Sequence, residues 1–205
     1  MNPKVLSARA WETVRSLSDG GWLDSWVLAG GTGLALHLGH RYSEDLDLFR
    51  VEAFDPVALA ESLPRAGQVR VQQSGTNTLH VELNGLRVSF LRSQAPLLFP
   101  GTAYRSLTVA DPRDIAVMKV IAIGGRGSRK DFVDLFFYLK SGGTLAGVLS
   151  LVGQRYQKVD FNTYHLLKSL VYFRDAEEEP MPRMIKPAEW TAVKELLIAE
   201  VRRLS

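Results

Sequence analysis

Asn84-Gly85 lies between two runs that alternate apolar and polar, Leu79 to Leu83 and Leu86 to Phe90. Both central residues of a type I′ turn need positive φ, which asparagine and glycine accept, so the pattern predicts a β-hairpin. A two-residue turn fixes the register. Leu83 pairs with Leu86, Val81 with Val88 and Leu79 with Phe90, placing all the apolar side chains on one face. His80, Glu82, Arg87 and Ser89 take the other face, with Glu82 across from Arg87.

Upstream, Val5, Ala8, Trp11, Val14 and Leu17 recur at steps of three and predict a helix over 4–18, closed by Gly20-Gly21. A short strand, Trp26 to Ala29, runs into Gly30-Gly31-Thr32-Gly33. A short helix follows with Thr32 as its cap and an end near Gly39. Asp45-Leu46-Asp47-Leu48-Phe49 alternates as a second strand, and 57–63 reads as helix. The stretch Ser93 to Tyr104, with Pro96, Pro100 and Gly101, is the best boundary, because everything beyond it reads as helix. Asp111-Pro112 starts one helix as cap and first residue, and Ser128 with Asp131 has capping-box spacing for the next. Further helices are expected around 144–152, 161–174 and 187–203. The expected architecture is α+β: a core over 1–105 and a mainly helical domain over 106–205 that completes a cleft.

With 46% hydrophobic and 23% charged residues in 205, the chain has enough core to fold without staples. The absence of cysteine excludes a disulfide scaffold, a thiol nucleophile and cysteine-ligated zinc. His37 and His40 have ligand spacing but no third ligand nearby, so metal binding is not expected there. No stretch reaches the ~20 apolar residues of a spanning helix and none resembles a signal peptide, which predicts a cytoplasmic protein with no membrane partner. A net charge of +3 permits a nucleic-acid partner without demanding one.

Four features carry chemistry. Asp45 and Asp47, two apart on a strand, leave the same face; such a pair repels itself unless a cation lies between, and its oxygens suit Mg²⁺. An isolated Asp-x-Asp is otherwise a solvated strand face. The glycine turn offers backbone N–H groups at a helix start, either a phosphate cradle or a plain turn; it completes neither a dinucleotide fingerprint nor a P-loop. Lys119 falls on the apolar stripe Ile115, Met118, Ala122, Ile123, where it either snorkels out or reaches a phosphate. Arg126, Arg129 and Lys130 precede Asp131 and Asp134, which are either cap acid and surface charge or cleft residues. The loop Gly124-Gly125-Arg126-Gly127 has the glycines that a close ligand approach requires.

In order, Gly30-Gly31-Thr32, Arg41-x-Ser43-x-Asp45-x-Asp47, Asp114 with Lys119 and Arg126, and Lys130-Asp131-x-x-Asp134 resemble the motifs of the AbiEii/AbiGii toxin family of nucleotidyltransferases. The run Leu170 to Ala176, with Pro180, Pro182 and Trp190, also resembles that family's C-terminal half. The resemblance implies a DNA-polymerase-β-like core followed by a helical domain, and nucleotide transfer from a nucleoside triphosphate. The implied acceptor is RNA, at a tRNA 3′ end, and the implied partner is a cognate antitoxin. It makes Asp45 and Asp47 ligands of Mg²⁺ or Mn²⁺, and puts Gly30, Gly31, Thr32, Arg41 and Ser43 around the triphosphate. Lys119 would bind phosphate and Asp131 would be a second catalytic carboxylate, with Arg126, Lys130 and Asp134 at the nucleotide. One departure stands out: where many polymerase-β-like enzymes carry a third metal carboxylate after the hairpin, this chain has Ser89, leaving Glu82 or Asp131 as substitutes. That leaves two rivals open, a catalytically silent binding module and a transferase for small-molecule or protein acceptors.

Overall fold

The hairpin forms in the expected register. In the computed structural model, which describes residues 1–157 and 161–204, Leu83 faces Leu86, Val81 faces Val88 and Leu79 faces Phe90. Asn84 and Gly85 have φ of 52° and 75°, as a type I′ turn requires.

Chain order is α1 (Ala8–Asp19), β1 (Val27–Leu28), α2 (Gly30–Leu38), β2 (Asp45–Arg50), α3 (Pro56–Ser62), β3 (Val69–Gly75), β4 (Thr78–Leu83), β5 (Leu86–Arg92), β6 (Thr102–Tyr104) and β7 (Leu107–Val109). Then come α4 (Pro112–Arg126), α5 (Arg129–Lys140), α6 (Leu145–Arg155), α7 (Thr163–Ser169), α8 (Arg174–Glu177) and α9 (Trp190–Arg202). The strands join one seven-stranded sheet in the order β3-β4-β5-β2-β1-β7-β6. β2 lies parallel to β5 and antiparallel to β1, while β1 is parallel to β7.

Alternation gives the sheet two unlike faces. Leu46, Leu48, Leu79, Val81, Val88 and Phe90 are buried with Val14 and Leu17 of α1 in one core. The other face carries Asp45 and Asp47 and looks toward the helices, which form a second core around Ile115, Phe132, Leu135 and Leu197. Phe132, Phe173 and Trp190 pack ring on ring within it, their centroids 5.2 to 5.9 Å apart. The C-terminal half is tied back to the core by backbone bonds: Ile185 and Lys186 N–H donate to the His40 carbonyl, and Tyr42 N–H donates to Arg183.

The structure departs from the sequence expectations at several points: β3 was not foreseen, and the helix expected over 161–174 is α7 alone, ending at Ser169. The β6–β7 hairpin was not expected; its turn contains Arg105 at φ 52°, so residue 105 lies inside the hairpin and the sheet runs on to Val109. α2 begins at Gly30 with Ala29 in the cap position, so Thr32 is in the first turn and is not the cap. The glycines after Ile123 are not a loop: α4 continues through Gly124 and Gly125 to Arg126, and only Gly127, at φ 59°, ends it. A Cβ at Gly124 would come within 3.1 Å of Leu166, so close helix packing accounts for that glycine. Among the described residues, no single helix is long and apolar enough to cross a membrane.

Candidate active site

A cleft of about 720 Å³ separates the polar face of the sheet from α4 and the start of α5. Its floor is the β2 pair. Asp45 and Asp47 project together, half-buried, while Leu46 and Leu48 between and beyond them are fully buried. Two glycines of α2 make room for this pair and its neighbours. Gly30 sits at φ 59°, where a Cβ would fall 2.6 Å from Asp47 Oδ2. At Gly31 a Cβ would lie 1.9 Å from Arg41 Nη2, so only glycine lets that guanidinium pass beneath the helix. Thr32 Oγ1 donates to the Asp45 carbonyl and lies 2.6 Å from Ser43 Oγ. These two hydroxyls therefore pin the β2 backbone at the first carboxylate.

The opposite wall is a buried charge network. Lys119 Nζ is 2.7 Å from Asp131 Oδ1 and 2.6 Å from Asp134 Oδ2. Arg41 grips Asp134 through Nε and Nη2 at 2.6 and 2.9 Å, and Arg126 Nε donates to Asp131 Oδ2 at 2.8 Å. Burial alone would raise both carboxyls, but Arg41 and Lys119 hold Asp134 well below the usual range, and Lys119 and Arg126 lower Asp131. Burial would likewise lower Lys119, yet Asp134 and Asp131 outweigh it and its ammonium is held more firmly charged. An ammonium has three donors and two are committed here, which leaves one for a ligand in the cleft that Lys119 lines.

His40 is the residue sequence reasoning missed in this network. Burial pushes its imidazole below the ordinary value more strongly than Asp134 pulls it up, so the ring is neutral at pH 7. An ionised carboxylate only accepts, so His40 Nε2 donates to Asp134 Oδ1 at 2.7 Å and Nδ1 is left as a bare, unpaired acceptor. The one signal in the sequence was adjacency to Arg41. His37 is elsewhere, bonded to the Ala110 carbonyl.

The sequence-predicted residues thus separate into two groups. Gly30, Gly31, Thr32, Arg41, Ser43, Asp45, Asp47, Lys119, Arg126, Lys130 and Asp131 line the cleft. Asp134 is fully buried behind them, neither a surface charge nor part of the cleft wall. Asp131 does not close a capping box, because its carboxylate is spent on Lys119 and Arg126, and Ser128 Oγ donates to Glu179 instead. Asp114 also lies away from the cleft. It accepts from the Leu98 and Phe99 N–H groups and pairs with Arg155, holding the loop after β5 against α4.

On the sheet, Ser89 stands beside Asp47 and Arg87 beside Asp45, as their strand register dictates. Glu82 is next to Arg87 on β4 and outside the cleft lining. Arg87 Nε is 2.7 Å from Asp45 Oδ1, at ion-pair distance but off the line of a hydrogen bond, so that buried oxygen keeps an unused lone pair. Lys130 Nζ is 4.0 Å from the other oxygen. Among the described residues, no group of three or more Asp, Glu or His could by itself cage a metal. Two carboxylates with a free lone pair suit Mg²⁺, which keeps waters and takes substrate phosphates as its remaining ligands.

Comparison with known proteins places the chain in a family. The family model described as nucleotidyl transferase AbiEii toxin, type IV toxin–antitoxin system, matches residues 13–103. Uncharacterized protein aq_aa25 of Aquifex aeolicus (strain VF5) is 37% identical over 198 residues, 94% of this chain and 93% of its own length. Among solved structures, the antibiotic-resistance factor ANT(2'')-Ia aligns with a TM-score of 0.51 at 14% identity, over 78% of this chain and 93% of that one. JHP933 from Helicobacter pylori aligns with a TM-score of 0.48 at 15% identity, over 96% and 93%. The likeness to ANT(2'')-Ia is one of fold, and the α+β, polymerase-β-like core expected from the motifs is the architecture observed.

Proposed function

This chain belongs to the AbiEii nucleotidyl transferase toxin family, and we propose that it transfers a nucleotide from a nucleoside triphosphate to RNA, at the 3′ end of a transfer RNA. It acts as the toxin of a pair whose antitoxin is its protein partner, and it works in the cytoplasm with Mg²⁺ or Mn²⁺. The observation that carries this reading is the pairing of two walls. Half-buried Asp45 and Asp47 face a cleft whose far side presents Lys119, Arg126 and Lys130.

The chemistry needs little more than positioning and charge neutralisation. An ion on Asp45 and Asp47 would polarise the α-phosphate and the attacking hydroxyl. Lys119, fixed between Asp131 and Asp134, turns its remaining N–H to the phosphates, while Arg126 and Lys130 balance charge at the mouth. First-turn N–H groups of α2 add partial positive charge beside Asp47. The acceptor oxygen bonds to the α-phosphorus, its proton passes to water, and the bond to the β-phosphate breaks with pyrophosphate carrying away the electron pair. Asp131 acts by holding Lys119 and Arg126 in place.

The test is incubation with total RNA, Mg²⁺ and each α-labelled triphosphate in turn, beside Asp45→Ala. Label in a discrete RNA band with the intact protein alone supports the reading and gives the base preference. Label on a small molecule or on protein would keep the chemistry and replace the acceptor. Triphosphate binding without any transfer would favour the silent binding module, the reading that Ser89 in place of a third carboxylate supports.

A further inference from the structure

Register runs a polar row across the cleft floor, and beyond Asp47 the proposed transfer does not use it. Asp47 on β2 is beside Ser89 on β5, Ser89 is beside His80 on β4, and His80 is beside Gln73 on β3. Neighbouring strands are roughly 4.8 Å apart, so the row extends about 14 Å from the carboxylates. Its outer end is shaped by an irregularity between Val71 and Gln73 that leaves Gln72 without a register partner, and Gln72 and Gln73 both line the cleft. In the middle, His80 Nδ1 is 2.9 Å from Ser89 Oγ, and both residues are half-buried in the cleft lining.

We propose that the Ser89–His80 pair receives the ribose hydroxyls of the acceptor's last nucleotide, so that transfer requires a 2′-hydroxyl next to the attacking 3′-hydroxyl. The inference rests on the transfer reading above and names what that site selects. A carboxylate at position 89 would only accept hydrogen bonds and would add charge beside Asp45 and Asp47. A hydroxyl joined to an imidazole both donates and accepts, which is what a sugar hydroxyl needs. With the 3′-oxygen next to Asp47, the neighbouring hydroxyl of the same sugar falls over the adjacent strand, where Ser89 is, and His80 fixes the direction of the Ser89 hydroxyl. A site built to bond a hydroxyl rejects the analogue that lacks it far more strongly than an apolar pocket rejects an added group. Ser89 is thus the contact and His80 the positioning residue behind it.

The test uses the full chain with two synthetic tRNA acceptor-stem hairpins, identical except for a ribose or a 2′-deoxyribose at the 3′ end. Intact protein is expected to favour the ribose end by on the order of 10²-fold or more in kcat/KM. His80→Ala and Ser89→Ala each lower kcat/KM on the ribose hairpin by roughly tenfold or more while leaving the deoxyribose hairpin within about twofold. His80→Asn, whose amide occupies the place of Nδ1, restores part of the preference. Equal transfer to both ends by the intact protein overturns the proposal, as does an equal loss on both hairpins in a folded His80→Ala. If His80→Ala does not fold, Ser89→Ala decides by the same ratio. A protein that labels no RNA of any kind fails the transfer reading first, a result distinct from equal labelling of the two ends.

Discussion

The molecule holds two carboxylate pairs that look alike in sequence and differ in every physical respect. Asp45 and Asp47 are two apart on a strand, and Asp131 and Asp134 are three apart on a helix; each spacing puts both side chains on one face. The helix pair is fully buried and saturated by Lys119, Arg41, Arg126 and the neutral ring of His40. The strand pair is half-buried, and its partners Arg87 and Lys130 are themselves exposed side chains on the cleft rim. Ion pairs of that exposed kind are worth about 0 to 1 kcal/mol, so they would offer little resistance to the divalent cation we propose there. A buried pair resists any such exchange, because removing one partner leaves an uncompensated charge. What distinguishes the pair we propose for chemistry from the pair locked into the packing is the supply of fixed cations, which spacing does not reveal.

The sharpest break in the comparison comes from the strand side. Asp45→Ala and Asp47→Ala should each lower transfer by on the order of 10³-fold or more, as loss of electrostatic stabilisation at the phosphate does. Urea unfolding of the same proteins should move by less than about 0.5 kcal/mol, because Arg87 and Lys130, the cations beside the pair, are exposed and weakly held. Asp134→Ala inverts the pattern. It strips Arg41 and His40 of their common partner and should cost about 3 to 5 kcal/mol of stability in the same urea titration. Arg126→Ala is milder: its side chain is 61% exposed, so stability should fall by at most about 1 kcal/mol, with the change read as a higher KM for the triphosphate.

The smallest effect is in the pH dependence of stability. His40 is lowered by burial, so below its ordinary value of 6.5 the unfolded chain takes up a proton that the folded ring does not. Its contribution is complete above pH 6.5 and declines as the pH falls toward the lowered folded value. Asp131 and Asp134, also lowered, add a later loss that begins below about pH 4 and continues through their folded values. Urea midpoints against pH should fall in those two stages, and His40→Gln, whose amide still donates to Asp134, should remove only the first.

Much of the fold was legible because local rules were unopposed. Asn84-Gly85 set the hairpin register, Asp111-Pro112 set the start of α4, and the glycine turn before Asp45-x-Asp47 marked the cleft floor. The β6–β7 hairpin escaped because its strands are three residues each and its turn relies on Arg105 at positive φ, which no turn rule anticipates. At the site, the residue types and their faces were readable, but the partners were not. Asp134 meets Arg41 across 93 positions and His40 across 94, contacts that only the packing of α5 under α2 creates. Gly124-Gly125 reads as a loop because composition does not distinguish a hinge from glycines inside a helix; Gly124 packs closely against Leu166, while nothing in the structure accounts for Gly125.

Mn²⁺ binding, titrated calorimetrically in the presence of a non-hydrolysable nucleoside triphosphate, tests the difference between the two pairs most directly. With folded intact protein, Asp47→Ala and Asp131→Asn compared side by side, Asp47→Ala is expected to weaken Mn²⁺ by about tenfold or more, since one of the two proposed protein ligands is gone. Asp131→Asn should leave the affinity within about twofold, its carboxylate being committed to Lys119 and Arg126. Equal weakening in both, or a loss confined to Asp131→Asn, would place the ion on the helix carboxylates and contradict the account.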